Sequence, residues 1–314
     1  MPIGREELID AMDSVISVPV IPFRNSMIDY EAHGKNIDYL LDNNCLEGDR
    51  RRVIAMAGTS LIHHVDTADQ VRLMEFTGDR MAGRGGILIS GIAPNPIADA
   101  GRVVAAQSNL ANPPDAYLLM PISGVCDPEG IYPTFMEFAE KYGGDCGARF
   151  LYYLRQPNQA STAARLINDS AHFIGVKVGT DADDVAPLVE SIGAGNGLVM
   201  WGIGDRSTEP ARRGSKGHTS GINVAFVRAS DEINNAQRRG DYDSSLKIEK
   251  ELTALEEIRF RDGRKYNYSA VVEAMHLGAW TDVEGGEGGP FNPRVSPEVA
   301  REVEDAISGI THYH

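Results

Sequence analysis

Short apolar segments alternate with longer amphipathic stretches along the chain as far as about Gly240. Segments of the first kind predict strands: Ile16–Phe23, Arg52–Ala57, Gly86–Ser90, Ala116–Pro121, Arg149–Tyr153, Phe173–Lys177, Leu198–Gly202 and Gly217–Ser220. Segments of the second kind predict helices, including Tyr30–Asn43, Thr67–Met81, Pro96–Leu110, Pro128–Tyr142 and Asp181–Ile192. Because the strand segments are apolar along most of their length, we expect them to be buried on both faces, as in a parallel sheet covered by helices. The alternation therefore predicts an α/β fold, namely a (β/α)8 TIM barrel.

A doubly wound open sheet is the alternative for the same alternation. Such a sheet usually has a glycine-rich, phosphate-binding turn after its first strand. The corresponding stretch here is Pro19-Val-Ile-Pro22-Phe23, which contains no glycine. The barrel is therefore favoured.

The alternation stops near Gly240, and three helical segments follow: Asp243–Phe260, Tyr268–Leu277 and Pro297–Ile307. We therefore expect a catalytic barrel over residues 1–239 and a helical C-terminal extension over residues 240–314. A length of 314 residues suits one barrel with such an appendage.

The charge balance limits the classes of partner. Lys and Arg number 30 against 45 Asp and Glu, a formal net charge of −15, which disfavours nucleic acid and anionic membranes. No apolar run approaches the roughly 20 residues that span a bilayer, and the first residues lack a secretory-signal pattern. The three cysteines show no CxxC spacing, so neither a disulfide framework nor a zinc site is indicated. We expect a cytoplasmic protein without a metal or other cofactor.

Active sites of such barrels lie at the C-terminal ends of the strands, and Lys177 ends the sixth predicted strand. Burial there disfavours the ammonium form and lowers the lysine pKa. A neutral amine can attack a ketone to form an imine, which is an electron sink. The position alone is also compatible with a lysine that reaches solvent or pairs with Asp181 or Asp183.

Two other strand ends carry candidate site residues. Tyr152 and Tyr153 lie at the end of the fifth strand, and since neighbours on a strand point to opposite faces, only one can face the interior and transfer protons. Both could instead be packing residues. The second strand ends in Gly58-Thr59-Ser60, a turn suited to binding a carboxylate or simply to capping a helix.

Taken in order along nearly the whole chain, these segments resemble the dihydrodipicolinate synthase/N-acetylneuraminate lyase family of class I aldolases and dehydratases. The matching segments are Pro19–Phe23 with Ile28-Asp29, Ala57–Ser60, Pro121 through Glu129-Gly130 and Tyr132 to Phe135, Tyr152-Tyr153, Ile174–Lys177, Gly202–Asp205, and Gly214–Ser220 with Asn223.

The resemblance implies a role for each candidate residue. A pyruvate-like end of the substrate would bind Lys177 as an imine, and Tyr153 would transfer protons, because Tyr153-Leu-Arg155 matches a Tyr-x-Arg of sugar-acid dehydratases; Tyr152 stays the alternative. The further residues implied in substrate binding are Gly58, Thr59, Ser60, Ser123, Arg155, Ser220 and Gly221. The resemblance also implies a homo-oligomer, either a dimer or a tetramer.

Departures from the family pattern bear on the substrate. The glutamate of the family's turn falls at Leu61, and the stretch around Ser123 lacks the second tyrosine of dihydrodipicolinate synthases. The segment Ile258–Arg261, followed by Tyr268, resembles instead the 5-dehydro-4-deoxyglucarate dehydratase branch. We expect a Schiff-base lyase, an aldolase or dehydratase, that acts on pyruvate or a 2-keto-3-deoxy sugar acid and is not a true dihydrodipicolinate synthase.

Three alternatives remain open at this point. One is dihydrodipicolinate synthase proper, and another is a barrel that binds sugar acids without turnover. The third is a metal-dependent aldolase with ligands at His63 and His64, although neighbouring residues point apart and no carboxylates accompany them at a metal-binding spacing.

Overall fold

A computed structural model describes residues 3–314, and its centre is a closed barrel of parallel strands. The strands in chain order are β1 (Val15–Ser17), β2 (Phe23–Arg24), β3 (Met27–Ile28), β4 (Val53–Met56), β5 (Ile87–Ile92), β6 (Ala116–Leu119), β7 (Phe150–Leu154), β8 (Phe173–Val178), β9 (Leu198–Trp201), β10 (His218–Ser220), β11 (Gly288–Gly289) and β12 (Asn292–Pro293). The barrel order is β1-β10-β9-β8-β7-β6-β5-β4, and β4 pairs with β1 to close it. The remaining strands form two small antiparallel hairpins, β2–β3 and β11–β12.

Helices separate the barrel strands and continue beyond them. In chain order they are α1 (Arg5–Ala11), α2 (Tyr30–Asp42), α3 (Thr67–Met81), α4 (Ile97–Ser108), α5 (Pro128–Cys146), α6 (Ala160–Asp169), α7 (Val185–Ser191), α8 (Thr208–Arg212), α9 (Val227–Arg238), α10 (Tyr242–Arg264), α11 (Ser269–Leu277) and α12 (Pro297–Ile307). Carboxylates begin several of them: the side chains of Asp29, Asp66 and Asp241 accept hydrogen bonds from backbone N–H groups in the first turn. The predicted (β/α)8 barrel with C-terminal helices is confirmed.

The first strand is shorter than predicted. The sequence favoured a strand over Ile16–Phe23, but β1 ends at Ser17 and the chain turns back in the β2–β3 hairpin. Pro19 and Pro22 explain the difference, because proline has no N–H to donate to a neighbouring strand.

Alternate residues of the barrel strands point inward and fill the barrel. The interior cluster includes Val53 and Ala55 of β4, Ile87 and Ile89 of β5, and Leu151 and Tyr153 of β7. This alternation follows from the two-residue period of a strand. At the end of the barrel where the strands begin, Leu8 and Met12, in and next to α1, close the interior. A functional site is therefore expected at the other end of the barrel, where the strands end.

The C-terminal helices share an apolar core with the barrel helices. Leu252 of α10, Val271 of α11 and Val303 of α12 belong to the same buried cluster as Ile37 of α2 and Ile233 of α9. The regular part of α10 agrees with the predicted helix Asp243–Phe260, since the backbone leaves helical geometry from Arg261 to Gly263. The break directs the following residues toward the barrel.

Among residues 3–314, none of the helices combines the length and the apolar character that crossing a membrane requires.

Candidate active site

Lys177 and Tyr153 face each other inside the barrel. They are paired residues on the neighbouring strands β8 and β7. The Lys177 Nζ atom lies 4.3 Å from the centroid of the Tyr153 ring, and the two residues are only 4% and 7% exposed. The structure therefore brings together the two residues that the sequence predicted as catalytic, at the end of the barrel where such sites lie.

Tyr152 points to the opposite face of β7. Its ring packs edge-on against Phe135 of α5, with ring centroids 6.0 Å apart, and its hydroxyl donates a hydrogen bond of 2.8 Å to Gln159 Oε1. Tyr152 therefore belongs to the layer between barrel and helices, and Tyr153 is the tyrosine of the cavity.

The surroundings change the acidity of both groups. Burial lowers the pKa of Lys177, and the positive charges of Arg264 and Arg155 lower it further, whereas Tyr153 opposes the change. Burial alone would raise the pKa of the Tyr153 phenol, but nearby cations outweigh burial and lower this pKa to about 8: Lys177, Arg155 and Arg264. The pair thus combines an amine that loses its proton more readily than an ordinary lysine with a phenol that titrates near neutrality.

The turn after β4 contributes Gly58 and Thr59 to the cavity. The Thr59 hydroxyl accepts a hydrogen bond of 3.2 Å from Asn267 Nδ2. Ser60 lies outside the cavity lining: its hydroxyl donates to the Pro19 carbonyl at 2.6 Å, and its N–H donates to the Ala57 carbonyl. Both the hydroxyl and the N–H of Ser60, the group expected to bind the carboxylate, are therefore used in hydrogen bonds within the protein.

The end of β10 contributes Thr219 and Gly221 to the cavity. Ser220, the predicted residue, lies on the other face of the strand, where its hydroxyl donates to the buried Asp205 carboxylate at 2.6 Å. The correction follows from strand alternation, since a shift of one residue changes the face on which a side chain lies.

Two further predicted residues lie at the edge of the site or outside it. Arg155 is next to Tyr153, with its Nη1 atom 3.4 Å from the phenol oxygen. Ser123 is exposed in the loop between β6 and α5, and its hydroxyl lies 3.1 Å from Asn95 Nδ2. The structure therefore keeps Arg155 beside the predicted catalytic pair and places Ser123 outside the cavity lining.

Residues after the barrel complete the cavity, and the sequence did not predict them as site residues. They are Arg259, Phe260, Arg264 and Asn267, from the end of α10 and the segment before α11. Together with the strand ends they enclose a cavity of about 30 Å³. No local pattern marks these four residues, because only the packing of the C-terminal helices brings them to the barrel.

Two glycines at strand ends provide the space for this packing. A Cβ atom on Gly202, after β9, would lie 2.8 Å from Lys177 Cγ, and one on Gly221 would overlap Arg259 Nη2. Any larger residue at either position would displace a charged side chain of the cavity. Gly221 therefore leaves room for the Arg259 side chain, whether or not it also contacts the substrate.

Within residues 3–314, no group of three or more His, Cys, Asp or Glu side chains is placed to hold a metal ion. His63 and His64 do not point apart as expected from the sequence. They lie side by side, with ring centroids 4.1 Å apart, because the chain forms a short 3-10 turn over Ile62–His64 after β4, and His64 is next to Phe291.

The fold of this chain is similar to the folds of several solved structures. No protein-family model matches the chain, and no curated protein matches it. Dihydrodipicolinate synthase from Bacillus clausii superimposes with a TM-score of 0.81 at 24% identity, over 96% of this chain and 98% of that one. The enzymes of the same name from Oceanobacillus iheyensis (TM-score 0.84, 17% identity, 97% of this chain and 98% of that one) and Thermotoga maritima (0.82, 19%, 96% and 99%) are also similar. The chain thus has the fold of the dihydrodipicolinate synthases, including the C-terminal helices.

Proposed function

We propose that the protein is a Schiff-base-forming lyase, a divergent member of the dihydrodipicolinate synthase/N-acetylneuraminate lyase family, and that it acts on pyruvate or a 2-keto-3-deoxy sugar acid. One observation carries the proposal: a buried lysine amine, Lys177 Nζ, lies 4.3 Å from the ring of a buried tyrosine at the C-terminal end of the barrel. Burial lowers the pKa of this lysine and so favours the neutral amine that a nucleophile requires. The proposed assembly is a homo-oligomer, a dimer or a tetramer, as the sequence resemblance implies.

The reaction begins when Lys177 Nζ attacks the keto carbon of the substrate. The carbonyl oxygen takes up protons and leaves as water, with the Tyr153 phenol as the proton donor, and a protonated imine remains. Loss of a proton from C3 then gives an enamine. In a dehydratase this enamine expels the hydroxyl group of C4. In an aldolase working toward synthesis, the enamine of pyruvate attacks an aldehyde carbon. In the cleavage direction no proton leaves C3: the C3–C4 bond of the protonated imine breaks as the C4 hydroxyl loses its proton, which leaves the enamine and an aldehyde.

The residues in and around the cavity support a proposal for how the rest of the substrate binds. Thr59 and Gly58 are on the β4 side of the cavity, as the family's carboxylate-binding turn would be. Arg155 and Arg264 lie on the Tyr153 side, and among the described residues neither forms an ion pair with a carboxylate. Guanidinium groups without a carboxylate partner are donors for hydroxyl or carboxylate oxygens, so they favour a sugar acid over unsubstituted pyruvate.

The loop between β6 and α5 argues against dihydrodipicolinate synthase proper. This loop contains Ser123 and no tyrosine, whereas the resemblance would require a second tyrosine there for a proton relay. Tyr132, the next tyrosine, donates its hydroxyl to Asp169 at the surface.

A substrate screen tests the proposal. The protein is incubated with a panel of 2-keto-3-deoxy sugar acids, and separately with pyruvate and aspartate semialdehyde, while release of pyruvate or a semialdehyde is measured. We expect turnover of at least one sugar acid that resists a chelator and is lost in Lys177→Met. Binding without turnover would favour a non-catalytic barrel, and turnover that a chelator abolishes would favour a metal-dependent aldolase. Condensation of pyruvate with aspartate semialdehyde would favour dihydrodipicolinate synthase itself.

A further inference from the structure

We propose that Arg259 binds the substrate carboxylate next to the keto group and that Glu256 is the residue that positions it. This inference rests on the proposed function in so far as the substrate is a 2-keto acid. It assigns the cation of the carboxylate site to a helix outside the barrel.

Arg259 is buried at the same cavity as Lys177. Its side chain is 1% exposed and comes from the last regular turn of α10. A Cβ atom on Gly221 would overlap Arg259 Nη2 and would lie 3.0 Å from Thr59 Oγ1. The guanidinium and the Thr59 hydroxyl therefore meet on one side of the cavity, at the turn proposed to bind the carboxylate.

The guanidinium has donors left for a ligand. Its Nη1 atom donates to Glu256 Oε1, its Nη2 atom to Asn267 Oδ1 at 2.7 Å, and its Nε atom to the Asn267 carbonyl at 3.5 Å. Of the five N–H bonds of an arginine, these contacts leave two. A carboxylate is the group that such a fork of N–H donors binds best.

Asn267 connects the arginine to the turn. Its amide oxygen accepts from Arg259, and its amide nitrogen donates to Thr59 Oγ1 at 3.2 Å. The chain Arg259–Asn267–Thr59 joins the C-terminal helices to the end of β4. A carboxylate at Thr59 would therefore lie within reach of a cation whose orientation is fixed.

Glu256 is costly to bury, which indicates a role in positioning. It is 1% exposed, and among residues 3–314 its Oε2 atom has no hydrogen-bond partner. Burial raises its pKa, Arg259 opposes this change, and nearby Asp205 adds to it. A buried ion pair seldom stabilises a fold more than apolar side chains of the same size would. Its effect here is to hold the Arg259 guanidinium against the cavity from the preceding turn of the same helix.

The alternative is that Arg259 only stabilises the packing of the C-terminal extension against the barrel. The two roles differ in whether the loss of Arg259 weakens binding of a ketone with a carboxylate more than binding of a ketone without one. Imine formation at Lys177 is trapped with borohydride at increasing concentrations of pyruvate, and in parallel with hydroxyacetone, a ketone without a carboxylate. The variants are Arg259→Met, Arg259→Lys and Glu256→Gln, together with Glu256→Gln/Arg259→Met, which leaves no unpaired buried charge. The matched control is Arg102→Met, since Arg102 pairs with Asp99 at the same helical spacing but is 73% exposed.

For Arg259→Met we expect the half-saturating pyruvate concentration to rise roughly 10- to 100-fold, as for loss of a charged hydrogen bond, with hydroxyacetone trapping changed by less than about twofold. Arg259→Lys should recover part of the affinity for pyruvate. Glu256→Gln should have a smaller effect of the same kind and no additional effect in the Arg259→Met background. Arg102→Met should behave as the wild type.

Equal losses with both ketones, or unchanged pyruvate trapping, in Arg259→Met and in the double variant would overturn the inference and leave the proposed function in place. An additional effect of Glu256→Gln in the Arg259→Met background would overturn the positioning role of Glu256. Absence of any adduct with either ketone in the wild type would overturn the proposed function and this inference with it.

Discussion

Tyr152 and Tyr153 are adjacent in the chain but have different surroundings. Tyr153 faces Lys177 inside the barrel, whereas Tyr152 packs against Phe135 and donates to Gln159. The sequence identified both tyrosines as candidates, and alternation along a strand allowed only one of them to face the site. Which one it is depends on the register of β7 against β8, a property that the order of residues alone does not fix.

Removing each hydroxyl separately tests this assignment at the residue scale. For Tyr153→Phe we expect kcat to fall about 100-fold or more, the range of general acid–base catalysis. For Tyr152→Phe we expect kcat to change less than about threefold and the free energy of unfolding to fall by about 1 kcal/mol, as for one lost hydrogen bond. Steady-state kinetics and denaturant titration of both variants check the prediction, and the reverse order of effects on kcat would refute it.

The pKa directions of the same pair predict how the rate depends on pH. Imine formation requires neutral Lys177, so kcat/KM should rise with pH until the lysine, whose pKa is lowered, has lost its proton. Proton donation requires the neutral Tyr153 phenol, so the rate should fall again above about pH 8, where this phenol ionises. A pH series of kcat/KM should give a bell-shaped curve. In Tyr153→Phe the alkaline decrease should disappear, and an unchanged decrease would assign it to another group.

At the scale of single elements, neighbouring residues of β10 have different surroundings. Thr219 lines the cavity, whereas Ser220 donates to the buried Asp205 carboxylate on the other face. Thr219→Val should therefore raise KM about 2- to 10-fold, as for one neutral hydrogen bond, with little change in stability. Ser220→Ala should lower the free energy of unfolding by about 1–3 kcal/mol, because a buried carboxylate loses a donor. Kinetics and urea titration of the two variants test this division, and a larger KM effect for Ser220→Ala would contradict the register of β10.

The helices and strands of the barrel could be predicted from the sequence, whereas some residues of the site could not. The alternation of apolar strands and amphipathic helices is a local pattern, so it predicted the barrel and most strand ends, including Lys177. The face on which a strand residue lies, and contacts between residues far apart in the chain, do not follow from local patterns. The assignment of Ser220 to the cavity was wrong, because the face on which a strand residue lies depends on register. Arg259 was not identified as a site residue, because only packing across the molecule brings α10 to the barrel.

At the scale of the whole molecule, the C-terminal helices belong to the core of the barrel helices. Leu252 and Val303 are fully buried in one cluster with Ile37 and Ile233. Residues 1–239 and 240–314 therefore share one hydrophobic core, and we expect them to unfold together as one cooperative unit. Removing residues 240–314 would expose one side of this cluster and remove Arg259 from the site.

Unfolding experiments check this expectation. The full chain should unfold in one calorimetric transition, and a chain of residues 1–239 should lack cooperative unfolding and trap no imine. Two separate transitions in the full chain, or a folded and active truncated chain, would contradict it.

The central claim concerns the amine of Lys177, and trapping its imine is the most direct measurement. The full-length protein is treated with pyruvate and borohydride, digested, and analysed by mass spectrometry, with Lys177→Arg as the control because its side chain keeps the charge but cannot form the imine. We expect a reduced pyruvate adduct on the peptide that contains Lys177 and none on that peptide in the variant. No adduct in the wild type, or an adduct only on another lysine, would show that Lys177 does not form the imine.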